Sequence, residues 1–394
     1  VEDLSWNIST GEVSYAFELR VDEAPDRLEV SVNPKMDYIS VTGFKKPRKR
    51  TVVEKDLGWA RLRVLYLDRP SQPIRGYVSG RPEDFTLSRL GVRFGRALLK
   101  DELIWHPILG TRLASWGLMG HIREYYIHVN DPKAVGPGSV DYTEDGVVFR
   151  GRTGLRSPGI TIIGGLETAV RGEHLIAYTR SLEPKLGSQV LELVNEISDT
   201  IGDSMEVDTP TYNTIVLMWN DVDPLACDNM IALRAAVAKA LVKGNPQALH
   251  EAAHIVSVQV VYNKRLRNLG DYWLYEALPH TLALYVLRKV GGKEALDDAI
   301  TRFRSCVEAM GGYDALPNPA KIRMPKSRKH HVAIYCKAPL VLWDKIAGSR
   351  GVETLASLLE CVLTGDISAD RLEECLRESI GEREAHELID KYIK

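Results

Sequence analysis

The sequence predicts an α+β fold, with an N-terminal antiparallel β-sandwich or saddle followed by a mainly helical domain. Three observations carry that expectation. Apolar and polar residues alternate with period two through the first third of the chain, and helical periods dominate from Asn229 onward. The 394 residues also exceed what one hydrophobic core usually holds, which calls for at least two domains.

Val13, Tyr15, Phe17, Leu19 and Val21 alternate with polar neighbours, as do Leu28, Val30 and Val32, the pattern of half-buried antiparallel strands. Further strands are expected at Arg61 to Leu67, Ile122 to Val129 and Gly146 to Arg150, parted by clusters of Pro, Gly, Asn and Asp. This first domain is placed at residues 1–168. After Gly164-Gly165 the texture changes. His174 to Thr179 reads as a strand, Gln189 to Ile201 as a helix, and Ile215 to Met218 as a buried strand. Helices over 229–243, 247–262, 272–289, 294–310, 332–348, 352–363 and 368–393 complete a second domain, 169–394.

Composition excludes several classes of function. Hydrophobic residues at 44% and charged residues at 26% are globular values, which argues against disorder and fibrous structure. The 51 Lys and Arg against 53 Asp and Glu give a net charge of −2, so no overall field recommends a nucleic-acid partner. No apolar run approaches the roughly 18 residues of a membrane span, and no signal peptide is evident. The five cysteines are odd in number, widely spaced and without a C-x-x-C pair, which disfavours a disulfide framework or a thiolate metal site and fits a cytoplasmic location. Two basic runs, Lys45 to Arg50 and Lys321 to His331, read as solvated loops. The second leads directly to Tyr335, where Lys326, Arg328 or Lys329 could approach a substrate carboxylate.

The chemistry is concentrated in His250-Glu251-Ala252-Ala253-His254, an H-E-x-x-H motif inside an apolar helical pattern. Residues at i and i+4 leave one helical face a turn apart, so two imidazoles can share one tetrahedral zinc ion while Glu251 stands beside it as general base. A hydrolytic zinc site takes three protein ligands and keeps one position open. Glu276, in the next helical pattern, is the leading candidate for the third. His280, four residues further on, is an alternative ligand or a support for one, and Asp271 is either a helix cap or an orienting carboxylate. The expectation is one zinc ion per chain, with a peptide substrate.

Taken together, these residues resemble the gluzincin zinc aminopeptidases, the family of aminopeptidase N and leukotriene A4 hydrolase. Trp273-Leu274-Tyr275-Glu276 is similar to the family's ligand helix, although the 21 residues from Ile255 to Tyr275 make the spacing three longer. Tyr335-Cys336-Lys337-Ala338 resembles the segment whose tyrosine stabilises the tetrahedral intermediate, which implies that role for Tyr335. Leu225-Ala226-Cys227-Asp228-Asn229 stands where the family binds the substrate's free amino group, which implies substrate contacts for Asp228 and Asn229. Trp105-His106-Pro107 occupies the place of a family motif in the β domain. The resemblance implies a thermolysin-like second domain, a short form lacking the family's helical C-terminal array, a more open cleft, and aminopeptidase activity. Two other classes stay open: a non-catalytic peptide-binding or scaffolding module, and a zinc hydrolase or endopeptidase with another substrate. Oligomeric state is not indicated.

Overall fold

The computed structural model describes residues 2–7, 12–19, 27–32, 38–44, 50–56, 61–68, 70–80, 97–99, 108–110, 123–136, 138–153, 162–164, 166–171, 175–178, 184–218, 224–227, 229–264, 267, 271–322 and 327–393. The fold is mixed α+β, strands first and helices after. By contact it divides into two units. One comprises Val1–Leu182, Val216–Asp223 and Cys227–Met230, the other Glu183–Ile215, Pro224–Ala226 and Ile231–Lys394.

Alternating apolar residues make the first unit a set of strands. These are β1 (Glu2–Asn7), β2 (Glu12–Leu19), β3 (Arg27–Val32), β4 (Tyr38–Phe44), β5 (Arg50–Asp56), β6 (Arg61–Asp68), β7 (Pro70–Gly80) and β8 (Ala97–Leu99). They continue with β9 (Ile108–Gly110), β10 (Arg123–Val129), β11 (Ser139–Tyr142), β12 (Val147–Thr153), β13 (Ile162–Gly164), β14 (Thr168–Arg171) and β15 (Leu175–Tyr178).

Seven of them form one sheet in the order β11-β12-β10-β1-β2-β7-β4, and four form another in the order β5-β6-β3-β9. The register of β10 on β12 sets Ile127 opposite Phe149 and Val129 opposite Val147, and all four are buried. Their neighbours Tyr126 and Arg150, also opposite one another, meet on the other face, where the guanidinium lies 4.8 Å over the phenol ring. The sheets depart from the expected all-antiparallel pattern at one described pair, since β1 runs parallel to β10. These two strands are far apart in the chain, so no hairpin ties their directions.

In the second unit, α1 (Pro184–Met205) buries Val190, Leu191, Val194, Ile197 and Ile201. Its Asn195 accepts from the Tyr212 amide at 2.8 Å and donates to the Tyr212 carbonyl at 2.9 Å, which fixes the return of the chain. Strands β16 (Thr214–Met218), β17 (Leu225–Cys227) and β18 (Met230–Arg234) follow, each of them split between the two units. The helix expected over 229–243 therefore begins as a strand, and only α2 (Ala235–Val242) is helical. Met230, Ile231, Ala232 and Leu233 are all buried, and a short continuous apolar run fits a buried strand as well as a buried helix.

The remaining helices are α3 (Pro246–Tyr262), α4 (Tyr272–Val286, continued by a π turn over Leu287–Gly291) and α5 (Gly292–Glu308). A composite helix follows, in which α6 (Arg328–Val332), α7 (Ala338–Leu342) and α8 (Gly348–Arg350) alternate with π turns over Ala333–Lys337 and Trp343–Ala347. The chain ends through α9 (Val352–Leu363), α10 (Ala369–Ile380) and α11 (Glu382–Leu388). The single helix expected over 368–393 is broken at Gly381, whose φ of 88° lies in the left-handed region that glycine alone enters freely. Part of the second basic run is helical rather than loop, because the Ser327 hydroxyl accepts from the His330 amide and caps α6. The first run, apart from Arg50 at the start of β5, lies outside the described residues, as does Trp105-His106-Pro107. Among the described residues, no helix is long and apolar enough to cross a membrane.

The cysteine expectation is corrected in one respect: Cys361 of α9 and Cys375 of α10 form a disulfide. They lie 14 positions apart in sequence, and two helices joined by a short turn bring them together without any local cysteine motif. By the loop-closure argument such a link destabilises the unfolded chain by about 3 kcal/mol. Cys375→Ser should lower the free energy of unfolding by about that amount, read as a fall in urea midpoint, and a thiol reductant should lower the wild type while leaving the variant unmoved.

Candidate functional site

Helix α3 starts where the sequence signals it. The Asn245 side chain accepts from the Ala248 amide at 3.0 Å, and Pro246 takes the first helical position, where its missing N–H costs nothing. Ala252, Ala253, Val256, Val260 and Val261 are buried and seat the helix, so His250, Glu251 and His254 are carried on a fixed frame. Helix α4 packs along α3, α5 packs on α3, and the Ala333–Lys337 turn packs against both α4 and α5. These contacts bring together His250 and His254 from α3, Glu276 and His280 from α4, Phe303 from α5 and Tyr335 from the π turn.

The imidazoles lie close together. His254 and His280 stack with centroids 3.9 Å apart, and His250 and His280 lie 6.0 Å apart. Phe303 meets His250 and His280 edge-on, each at 5.5 Å, and Tyr335 meets His280 in the same way at 5.5 Å. Burial, with the charges of His254 and Arg302 adding to it, holds His250 down to about 3, and burial holds His254 down to about 4. Burial and the neighbouring histidines push His280 well below its ordinary value. All three rings are neutral at physiological pH. The buried atoms Nε2 of His250, Nδ1 of His254 and Nδ1 of His280 have no hydrogen-bond partner, a condition that native interiors seldom leave unexplained.

Glu276 is buried and turned toward hydroxyls. Its Oε1 accepts from Tyr262 Oη and from Tyr272 Oη, each at 2.9 Å. Burial, together with the charge of Glu276, raises the Tyr335 phenol far above the ordinary range. Tyr262 and Tyr272 are raised for the same two reasons, burial first. Glu251 has a different partner. Its Oε1 accepts from Arg234 Nη2 at 2.5 Å and from Nε at 3.2 Å.

Two neutral imidazoles and a carboxylate on the facing helix are a donor set that zinc takes, and partnerless ring nitrogens beside them fit that use. No three His, Cys, Asp or Glu side chains among the described residues are grouped closely enough to hold a metal ion. The physical reasons are visible: Glu276 is engaged by tyrosines, and face-to-face rings such as His254 and His280 do not aim their in-plane lone pairs at one point.

Other expected residues fall elsewhere. Asp228 lies outside the described residues, and Asn229 stands in the turn before β18. Asp271 precedes α4 without capping it, and burial raises its pKa. Lys326 is outside the described residues, while Lys329 donates to the Ala315 carbonyl. Lys337 is buried and donates to the Leu316 carbonyl at 3.2 Å and to Asn318 Oδ1 at 3.1 Å. Sequence reasoning missed Arg234, Tyr262, Tyr272 and Phe303. Tyr272 was legible, since it lies four residues before Glu276 on the same helical face.

The fold is that of M1 zinc metallopeptidases and LTA4 hydrolase, as the resemblance implied. The M1 zinc metallopeptidase from Deinococcus radiodurans is 14% identical with a TM-score of 0.62, over 100% of this chain and 92% of that one. A mutant of that enzyme bound to a Tyr-Ser-Ala substrate aligns equally well, over 100% of this chain and 93% of that one at 14% identity. Native yeast LTA4 hydrolase is 13% identical with a TM-score of 0.66, over 99% of this chain and 66% of that one. No family model matches the chain, and no curated protein matches it.

If Tyr262 and Tyr272 hold the buried carboxyl of Glu276, Tyr262→Phe should lower unfolding free energy by about 2 kcal/mol, the cost of removing a hydrogen bond to a charged group. Chemical denaturation of the metal-free protein measures it, and a Tyr262→Phe, Tyr272→Phe pair should cost more than either change alone.

Proposed function

We propose that the protein is a zinc metallopeptidase acting at peptide N-termini, with His250, His254 and Glu276 as ligands of one zinc ion. The observation that carries the reading is the set of buried neutral imidazoles with partnerless nitrogens on α3, facing a carboxylate on α4. Support comes also from the fold, which this chain shares with M1 zinc metallopeptidases, one of them a mutant bound to Tyr-Ser-Ala. In this reading residues 1–168 are the β-sandwich or saddle domain and 169–394 the thermolysin-like catalytic domain.

When bound, zinc supplies Lewis acidity toward the scissile carbonyl and the attacking water. Glu251 takes the proton of that water and later returns it to the leaving amine. The carboxyl of Glu251 has one oxygen held by Arg234, so the proton is carried on the other, Oε2. Tyr335 donates its phenol hydrogen to the developing oxyanion, and its raised pKa keeps that hydrogen in place at neutral pH. Glu276 then keeps Tyr262 and Tyr272 while Tyr335 turns to substrate. Asp228 and Asn229 are the proposed contacts for the substrate's ammonium group.

A second reading, a peptide-binding module without catalysis, is favoured by the engagement of Glu276 with tyrosine hydroxyls instead of an open metal site. One set of measurements separates the two. Dialysed protein should bind one zinc per chain and cleave a free peptide but not its N-acetylated copy. Glu251→Gln should retain the metal and lose about 1,000-fold in kcat. Failure to take up zinc favours the binding module, and equal cleavage of both peptides favours an endopeptidase.

A further inference from the structure

Arg234 ends β18, the one charged residue after the buried run Met230–Leu233. It also stands at the N-cap of α2 with an extended backbone, φ −63° and ψ 136°, and its side chain caps nothing there. Helix α2 packs on α3, and the guanidinium reaches across to Glu251. The contact is unusual in form. An arginine facing a carboxylate commonly sets two N–H groups against two oxygens. Here Nη2, at 2.5 Å, and Nε, at 3.2 Å, both donate to Oε1. One oxygen is doubly held and the other is left out of the pair.

The pair is partly sheltered, with the Arg234 side chain 34% exposed and that of Glu251 20%. A glutamate so placed on a helix surface has three rotatable bonds and several accessible rotamers. The arginine is anchored at its base by a buried strand, so its grip selects one direction for the Glu251 carboxyl group. Glu251 is also one residue past His250, roughly 100° round the helix from it, so its carboxyl needs guidance toward the side where the imidazoles lie.

We propose that Arg234 is a positioning residue for hydrolysis, which fixes Glu251 through Oε1 and thereby presents Oε2 to the reacting water. The inference rests on Glu251 being the general base. Its energetic logic is that of preorganisation: a proton acceptor misplaced by about 1 Å can cost about 100-fold in rate without loss of binding.

The test uses the full-length zinc-loaded protein and the variants Arg234→Gln and Arg234→Lys. Arg234→Gln should lower kcat by about 100-fold, with KM within twofold and zinc content unchanged. Arg234→Lys, which keeps the charge and one donor, should recover part of the loss and serves if Arg234→Gln does not fold. In metal-free protein, a thermal-unfolding cycle of Arg234→Gln with Glu251→Gln should be non-additive, because either change removes the same contact. Unchanged kcat in both folded variants overturns the inference. A raised KM with unchanged kcat overturns it too and makes Arg234 a substrate contact, and an additive cycle shows that the pair does not form. A wild-type protein that binds zinc and cleaves no peptide overturns the proposed function instead, and with it the catalytic part of this inference, while the cycle still reports the contact.

Discussion

The contact between α3 and α4 carries polar side chains into an apolar interior, and the need to satisfy them shapes the second unit. Glu276 lies among Trp273, Leu274, Ala277 and Leu278, where a carboxyl without donors would be costly. The donors are phenols, from Tyr262 at the end of α3 and Tyr272 at the start of α4. Tyrosine suits the position because its ring fills apolar space and its hydroxyl reaches the carboxyl, so one side chain meets both demands. A lysine or arginine would bring a second charge to be desolvated.

The two acidic groups of the site are thus treated in opposite ways. Glu276 is deep and held by neutral hydroxyls, whereas Glu251 is nearer the solvent and held by a cation. Environment thus separates two chemically similar side chains, one enclosed among apolar residues and the other within reach of a cation. The histidines complete the arrangement. Kept neutral by burial, they present ring nitrogens with nothing bonded to them, and Phe303 closes one side of the cluster.

Much of this was legible from residue patterns. Period-two alternation located strands such as β2, β3, β6, β10 and β12, and helical periodicity set the start of α3 to within one residue. Where several consecutive residues are buried, as in Met230–Leu233, periodicity loses its power and a strand was read as a helix. Pairings distant in sequence were also out of reach. Nothing local ties β1 to β10, Cys361 to Cys375, or Arg234 to Glu251, because each depends on how whole elements pack. The H-E-x-x-H pattern marked its own residues, but the turning of Glu276 toward Tyr262 and Tyr272 is a rotamer choice that sequence spacing does not encode.

The two π turns of the helix from Arg328 to Arg350 give this stretch two places at which its length can change by one residue. Each widened turn accommodates one residue beyond regular α winding, and such turns recur at functional sites. Losing a single residue from Ala333–Lys337 would let the backbone rewind as regular α helix with the later side chains near their present direction, whereas losing one from α6 would turn every later side chain by about 100° about the axis. Lys337 would leave its oxygens on Leu316 and Asn318, and the buried residues of α7 would swing out of the interior. Single-residue deletions should therefore be absorbed at the two π turns and not in the α-wound residues of α6 and α7.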